Sequence, residues 1–93
     1  MIVSIRHKGL RKFWQNGDGS KLPNQYLSKI RLVLAMLDSV QNPERINSPF
    51  GKVHPLKGDL KGYFGLSISR NWRIVCRVGD DGHLYDVDFM DYH

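Results

Sequence analysis

The 93 residues of this chain leave room for one domain with one modest core, so we expect a single domain over residues 1–93. Apolar residues make up 41% and charged residues 25%, a balance that excludes a disordered chain. No segment approaches the roughly 18 apolar residues of a membrane span, and the short apolar start meets charge at Arg6, unlike a signal peptide. We therefore expect a cytoplasmic protein with no membrane partner.

The basic residues are confined to the first 79 positions. That segment carries all 14 Lys and Arg but only four acidic residues, whereas residues 80–93 carry five Asp and no base. A basic body favours an anionic partner, most often nucleic acid for a small domain, although many basic proteins are merely soluble. The acidic end either offsets the basic surface or presents carboxylates to chemistry.

Two helices are predicted in the first half of the chain, after a short strand at residues 2–6. Apolar residues recur with helical spacing over residues 7–16, and Gly17 is placed to end that helix. The outer face of the first helix is basic, with Lys8, Arg11 and Lys12. From about residue 24 to 40 a second helix follows the 3.6-residue period through Leu27, Ile30, Leu34 and Leu37.

The second half alternates with the two-residue period of strands and predicts an antiparallel meander. Turns are expected at residues 69–71 and 79–82, the second with a strong Asp-Gly signal. The single cysteine, Cys76, is expected to be a buried strand residue. In the last strand, alternation puts Tyr85, Val87 and Phe89 on the core side. The predicted fold is α+β, with two N-terminal helices packed on one face of a small, twisted, mainly antiparallel sheet.

The opposite face of this sheet is expected to be polar, carrying Tyr63, Ser67, Arg73, Arg77, Asp86 and Asp88. Arg73 is the better candidate for a phosphate contact, because the position of Arg77 favours a cross-strand ion pair. Strict alternation puts Asp91 and His93 on the Phe89 side and Tyr92 on the open side. All three converge on one site only if the last strand ends irregularly.

The end of the chain and a mid-chain histidine carry the candidate chemistry. Metal-free RNA cleavage needs a base for the 2′-hydroxyl proton, cations that hold the phosphate, and an acid for the departing 5′-oxygen. His54 and His93 suit the two proton transfers, since histidine titrates near neutrality. Lys57 and Arg73 are candidates for phosphate binding. Asp91 could act as a base or orient a histidine, and Tyr92 offers a hydroxyl or a ring for base stacking.

Simpler interpretations stand beside these. His54 precedes Pro55 and is equally consistent with a residue that only shapes a turn. His7 opens a helix and His83 follows a turn, so both are expected to be surface residues. A metal site formed by His54, Asp91 and His93 lacks a tight ligand spacing such as His-x-x-x-His, so we expect no metal.

Four segments together closely resemble the HigB toxins of the RelE/ParE superfamily, also called plasmid maintenance killer proteins. They are residues 54–63 (HPLKGDLKGY), 71–74 (NWRI), 85–88 (YDVD) and the closing 91–93 (DYH). The similarity extends over almost the whole chain, including the order of two helices before the strands. One departure is Phe64-Gly65 in place of a more usual Trp-Ser pair, which thins the strand beside Tyr63.

The resemblance implies a toxin that enters the ribosomal A site and cleaves messenger RNA there, without metal or other cofactor. It implies as partners the 70S ribosome, mRNA and a HigA-like helix-turn-helix antitoxin, with operator DNA bound only through the antitoxin. The active-site positions of the family correspond to His54, Lys57, Asp91, Tyr92 and His93, and its strand arginine corresponds to Arg73. Further basic candidates for RNA contact are Arg77, Lys61, Lys8, Arg11 and Lys12.

Two other functions remain open from the sequence. A ParE-like inhibitor of DNA gyrase would need no acid or base at its end. A non-catalytic module that binds RNA or the ribosome would keep the basic residues and lose no chemistry on mutation.

Overall fold

The second half of the chain forms the predicted meander. The computed structural model describes residues 1–39, 47–48 and 51–91. A two-stranded antiparallel pair, β1 (Asn47–Ser48) and β2 (Gly51–Lys52), precedes a four-stranded antiparallel sheet. The strands of that sheet lie in chain order: β3 (His54–Pro55), β4 (Tyr63–Ser67), β5 (Trp72–Val78) and β6 (Leu84–Asp91). Both predicted turns are present, and in the second the Gly79 N–H donates to the His83 carbonyl at 2.9 Å.

The two predicted helices are also present. Helix α1 spans Lys8–Asn16 and ends at Gly17, whose left-handed φ of 76° suits a residue without a Cβ. His7 caps the start of α1, because its Nδ1 accepts the Leu10 N–H at 3.0 Å. Helix α2 spans Leu27–Ser39, and a 3₁₀ turn at Asn24–Tyr26 takes the place of the predicted first helical turn.

The opening segment lies along β6 but is less regular than the predicted strand. It pairs in parallel through two isolated bridges, Ile2 with Leu84 and Ile5 with Val87. Side chains from both helices bind its backbone: the Ile2 N–H donates to Asp38 Oδ1 at 2.8 Å, and Arg11 Nη1 donates to the Ile5 carbonyl at 3.4 Å. The segment is therefore held by the sheet on one side and by helix side chains as well.

A β-bulge in β6 contradicts the predicted alternation of that strand. Val75 pairs with Asp88 and Arg77 pairs with Tyr85. Between these two pairs the chain advances by two residues in β5 but by three residues in β6, so β6 contains one extra residue. The backbone of Asp86 takes up the extra residue with a positive φ of 55°. As a result Leu84 is fully buried with Val87 and Phe89, and Tyr85 is only half-buried instead of lying on the core side.

One buried cluster joins the helices to the sheet. It contains Leu10 and Phe13 of α1, four residues of α2, and residues of β4, β5 and β6 that include Leu66, Ile74, Cys76, Val87 and Phe89. Trp72 stacks on Phe89 at 4.5 Å between ring centroids, and His7 meets Phe89 edge-on at 5.9 Å. Within the described ranges, no helix is long and apolar enough to cross a membrane.

Burial of Cys76, as the sequence predicted, has a consequence for alkaline stability. Burial raises the pKa of the Cys76 thiol from 9.0 to about 11. Below pH 9 the thiol is protonated in both folded and unfolded chains; between pH 9 and 11 only the unfolded chain loses the proton. We expect this linkage to lower the free energy of unfolding by roughly 3 kcal/mol over that interval. Urea unfolding of wild type and Cys76→Ala across the interval isolates it, and equal pH slopes for both proteins would contradict it.

The His7 cap can be tested by substitution. His7→Ala removes both the acceptor for the Leu10 N–H and the ring against Phe89, so we expect a loss of about 1–2 kcal/mol in the free energy of unfolding. His7→Asn keeps a capping acceptor and should lose less. Denaturant unfolding of the three proteins measures this, and equal losses in the two variants would show that the cap contributes nothing.

Candidate active site

The hairpin of β3 and β4 presents His54 and Lys57. His54 lies opposite Gly65 and Pro55 opposite Phe64, and the Leu56 N–H continues the ladder to the Tyr63 carbonyl at 2.9 Å. Lys57 then leads into a 3₁₀ turn at Gly58–Leu60, where Gly58 has a φ of 67°. Both His54 and Lys57 are exposed, so their imidazole and ammonium groups are open to a large ligand.

Gly65 explains how this hairpin closes. A Cβ built on Gly65 would lie 3.2 Å from Leu56 Cδ2, tighter than an ordinary contact. A side chain at position 65 would therefore require Leu56 to shift by a few tenths of an ångström. Leu56 thus packs beside Gly65, at the point where the sequence predicted a thin strand.

The register collects the candidate residues into rows on one face. Directly opposite residues of antiparallel strands project to the same side, and residues two apart do so as well. One row contains His54, Gly65, Val75 and Asp88; the row two residues along contains Ser67, Arg73 and Met90. Gly65 is buried and Val75 is only 1% exposed, so the middle of this face is apolar. The prediction of a polar face is wrong at this point, because Val75 is buried there.

His54 lies between the two cations predicted to hold phosphate. Arg73 is two strands across from His54 and two residues along the ladder, about 12 Å between Cα atoms in a regular sheet. Lys57 lies in the other direction, since the chain from His54 to Leu56 runs away from the row of Arg73. Lys57 and Arg73 are therefore on opposite sides of His54 and not next to each other.

Asp91 lies at the end of β6 and on the other face. It is exposed and pairs with Trp72, whose ring stacks on Phe89. From Asp88 to Asp91 the register contains no shift, so alternation sends Asp91 to the Phe89 side, as the sequence predicted. The predicted site residues Tyr92 and His93 lie outside the described residues. No irregularity therefore brings the strand end toward His54 before residue 91.

Arg77 is already engaged by protein groups. Its Nε donates to Asp86 Oδ2 at 3.4 Å, and Arg6 Nη2 lies 3.9 Å from the same oxygen. Its guanidinium carbon also lies 4.9 Å from the centroid of the Tyr85 ring. The ion pair with Asp86 agrees with the cross-strand pairing that the sequence favoured for Arg77.

Sequence alternation placed Tyr85 on the core side, but the structure leaves it only half-buried. Its hydroxyl donates to Asp81 Oδ2. This hydrogen bond lowers the pKa of the Asp81 carboxyl and raises the pKa of Tyr85. The sequence offers one weak signal for the bulge that moves Tyr85: Asp, the residue at position 86, is among the few that tolerate a left-handed backbone.

The remaining basic candidates lie elsewhere. Lys61 is exposed just after the 3₁₀ turn, Lys8 and Arg11 are exposed on α1, and Lys12 is half-buried there. A half-open cavity of about 330 Å³ lies beside α1, lined by residues 2–5 with Arg11, Trp14 and Gln15. It adjoins the edge of β6, across the sheet from His54, and neither His54 nor Lys57 lines it.

Metal-ligating side chains do not converge in the part of the chain that the structure describes. No group of three or more His, Cys, Asp or Glu is placed there to hold an ion. Of the alternative set His54, Asp91 and His93, the last lies outside that part.

Comparison with known sequences gives matches over all or nearly all of the chain. A family model described as "RelE-like toxin of type II toxin-antitoxin system HigB" matches residues 3–93. Endoribonuclease HigB of Proteus vulgaris is 36% identical over 93 residues, and the alignment covers the whole of both proteins.

Solved structures match over the same length. The YoeB/ParE toxin from Agrobacterium tumefaciens aligns with a TM-score of 0.65 at 25% identity, covering all of this chain and 99% of that one. A heterotetrameric YoeB-YefM toxin-antitoxin complex from Staphylococcus aureus aligns with a TM-score of 0.60 at 24% identity, covering all of this chain and 98% of that one. At 24% identity, the match to the Staphylococcus aureus complex shows only that the two toxins share a fold.

Proposed function

The chain belongs to the HigB-like family of RelE-like toxins from type II toxin-antitoxin systems, and we propose on this premise that it is a ribosome-dependent endoribonuclease. It would cleave mRNA in the ribosomal A site and so inhibit translation in the cytoplasm. The observation that carries the proposal is the full-length 36% identity to a protein named Endoribonuclease HigB.

The proposed reaction uses acid and base groups and no metal. The 2′-oxygen loses its proton to a base and attacks the adjacent phosphorus, the bond from phosphorus to the 5′-oxygen breaks, and an acid protonates that oxygen. His54 and His93 are the proposed proton-transfer residues, Asp91 orients a histidine or accepts a proton, and Tyr92 contacts the substrate. The exposure of His54 on the hairpin supports its part, because a single-stranded message can reach it.

Phosphate binding is assigned to cations on either side of His54. Because Lys57 and Arg73 lie in opposite directions along the ladder, we assign them to different phosphates of one strand. Lys61 lies on the Lys57 side, and the α1 residues Lys8, Arg11 and Lys12 are proposed to contact ribosomal RNA. Charge-assisted contacts of this kind position a nucleic acid without reading its sequence.

The proposal makes two structural demands. Both helices must cover the Ile74 and Phe89 face, which leaves the Arg73 face open to RNA; the shared buried cluster and the contact between His7 and Phe89 support this arrangement. The proposal also requires His54 and His93 to act on the same phosphate, although Asp91 pairs with Trp72 and lies about 18 Å from His54 between Cα atoms in a regular ladder.

A neutralising partner completes the proposal. The YoeB toxin of Staphylococcus aureus occurs in a complex with YefM. We propose an antitoxin with a helix-turn-helix domain for this chain, with contact to operator DNA only through that antitoxin.

Loss of the proposed acid and base groups tests the function. Purified protein is added to 70S ribosomes programmed with a defined message, and the ends produced are mapped. We expect His54→Ala and deletion of His93 each to slow cleavage by about 100-fold or more, the usual contribution of a general acid or base. His83→Ala is the matched control, since His83 lies at a turn away from β3, and it should cleave like wild type.

Each outcome has a distinct meaning. A message left intact by wild type in the presence of ribosomes would overturn the nuclease assignment, and gyrase inhibition in its place would favour a ParE-like activity. If both histidine variants cleave normally, the site assignment fails while the activity stands.

The placement of Lys57 and Arg73 predicts additive electrostatics. Lys57→Gln and Arg73→Gln should each make the dependence of log binding on log salt shallower by about 0.7, the value for one phosphate contact on a single strand. The double variant should show the sum of both changes, because the two residues contact different phosphates. Lys21→Gln, in the loop between the helices, is the control. Binding to programmed ribosomes over a salt series measures the slopes. A double variant whose slope is no shallower than that of either single variant would contradict separate contacts.

A further inference from the structure

Two tyrosines and an arginine form a third row on the open face. Arg77 pairs with Tyr63 on one side and with Tyr85 on the other. The row lies two residues from that of Val75, so it shares a face with His54 and Arg73. All three side chains of the row are half-buried and thus partly open to solvent.

The bulge creates this row. Without the extra residue at Asp86, regular pairing would place Asp86 opposite Arg77 and send Tyr85 to the core side. With it, Leu84 fills the core and Tyr85 comes opposite Arg77. The row is therefore a product of the one non-glycine residue with positive φ among the described residues.

The protein holds Arg77 and Tyr85 in fixed positions. Asp86 binds the Nε edge of Arg77, and the Asp81 carboxylate accepts the Tyr85 hydroxyl. Gly79 makes room for the ring, because a Cβ there would lie 2.5 Å from Tyr85 Cε1. The Arg77 guanidinium lies over the Tyr85 ring while its side chain stays 43% exposed.

These surroundings suit stacking better than phosphate binding. The Asp86 carboxylate offsets the charge of Arg77, which weakens any attraction to a second anion. A guanidinium plane or an aromatic ring that is already oriented stacks a nucleobase at little entropic cost. We propose that Tyr63, Arg77 and Tyr85 form a stacking platform for the bases of single-stranded RNA, with Arg77 contacting a base and not a phosphate.

The location of the platform fits a role next to cleavage. Tyr63 is one strand and two residues from His54, about 8 Å between Cα atoms, and Arg77 and Tyr85 extend the row across the sheet. A base beside the cleaved linkage would meet Tyr63 first. The inference rests on the proposed function and deepens it, because stacking bases beside the cleavage site would hold the message in register.

Arg77→Lys separates stacking from phosphate binding. The variant keeps the charge and loses the plane, so we expect cleavage of a ribosome-bound message to fall about 5- to 100-fold in kcat/KM with an unchanged salt slope. If Arg77 instead contacts a phosphate, Arg77→Lys stays near wild type and Arg77→Gln makes the salt slope shallower by about 0.7. Arg70→Lys, an exposed arginine in the turn between β4 and β5, is the matched control.

Tyr63 provides a test that avoids the ion pair. Tyr63→Phe keeps the ring and should stack like wild type, whereas Tyr63→Leu should not. Binding of a 2′-O-methylated RNA that contains 2-aminopurine gives a direct readout, since stacking quenches its fluorescence. Thermal melts of all variants check folding.

The platform and the nuclease assignment fail separately. Quenching and cleavage that are unchanged in both Arg77→Lys and Tyr63→Leu would overturn the platform while leaving the nuclease intact. A wild-type protein that quenches the RNA but cleaves no message would overturn the nuclease and retain the platform. Absence of both would overturn both.

Discussion

The left-handed backbone of Asp86 determines how the two halves of the molecule meet. A φ of 55° costs a residue with a Cβ roughly 1 kcal/mol, and several contacts offset that cost. The Asp86 N–H donates to Ser4 Oγ at 2.9 Å, which ties the bulge to the opening segment. The Asp86 carboxylate accepts from Arg77 and lies near Arg6. One residue thus couples the N-terminal segment, β5 and β6.

The bulge distributes the residues of β6 between the two faces of the sheet. Leu84, Val87 and Phe89 join the buried cluster, and Tyr85 and Asp88 are left for the other face. The middle of that face is buried at Gly65 and Val75, and the arginines lie in the rows on either side. In the proposed function, RNA therefore contacts the two outer rows, with Arg73 for phosphates and the row of Tyr63, Arg77 and Tyr85 for bases.

Much of the fold follows from local patterns that the structure confirms. Both helices, the two hairpin turns, the meander order and the burial of Cys76 were predictable, because periodicity and turn residues act over a few positions. The hairpin with His54 and Lys57 was not predicted, because β3 is only two residues long and shows no alternation in the sequence. The orientation of Tyr85 was not predictable either, since a bulge depends on the partner strand and on Ser4, far away in the chain. The close approach of Leu56 to Gly65 was likewise invisible, and the sequence suggested only a thin strand.

The amino-acid sequence by itself determined the element types, the family resemblance and the residue types available for chemistry, because these depend on composition, spacing and identity. Tertiary structure alone decided which of those residues share a face. It put Lys57 and Arg73 on opposite sides of His54 and brought Tyr85 opposite Arg77. The physical reason is that side chains alternate with a period of two, so register and one bulge decide which face each residue of a strand occupies.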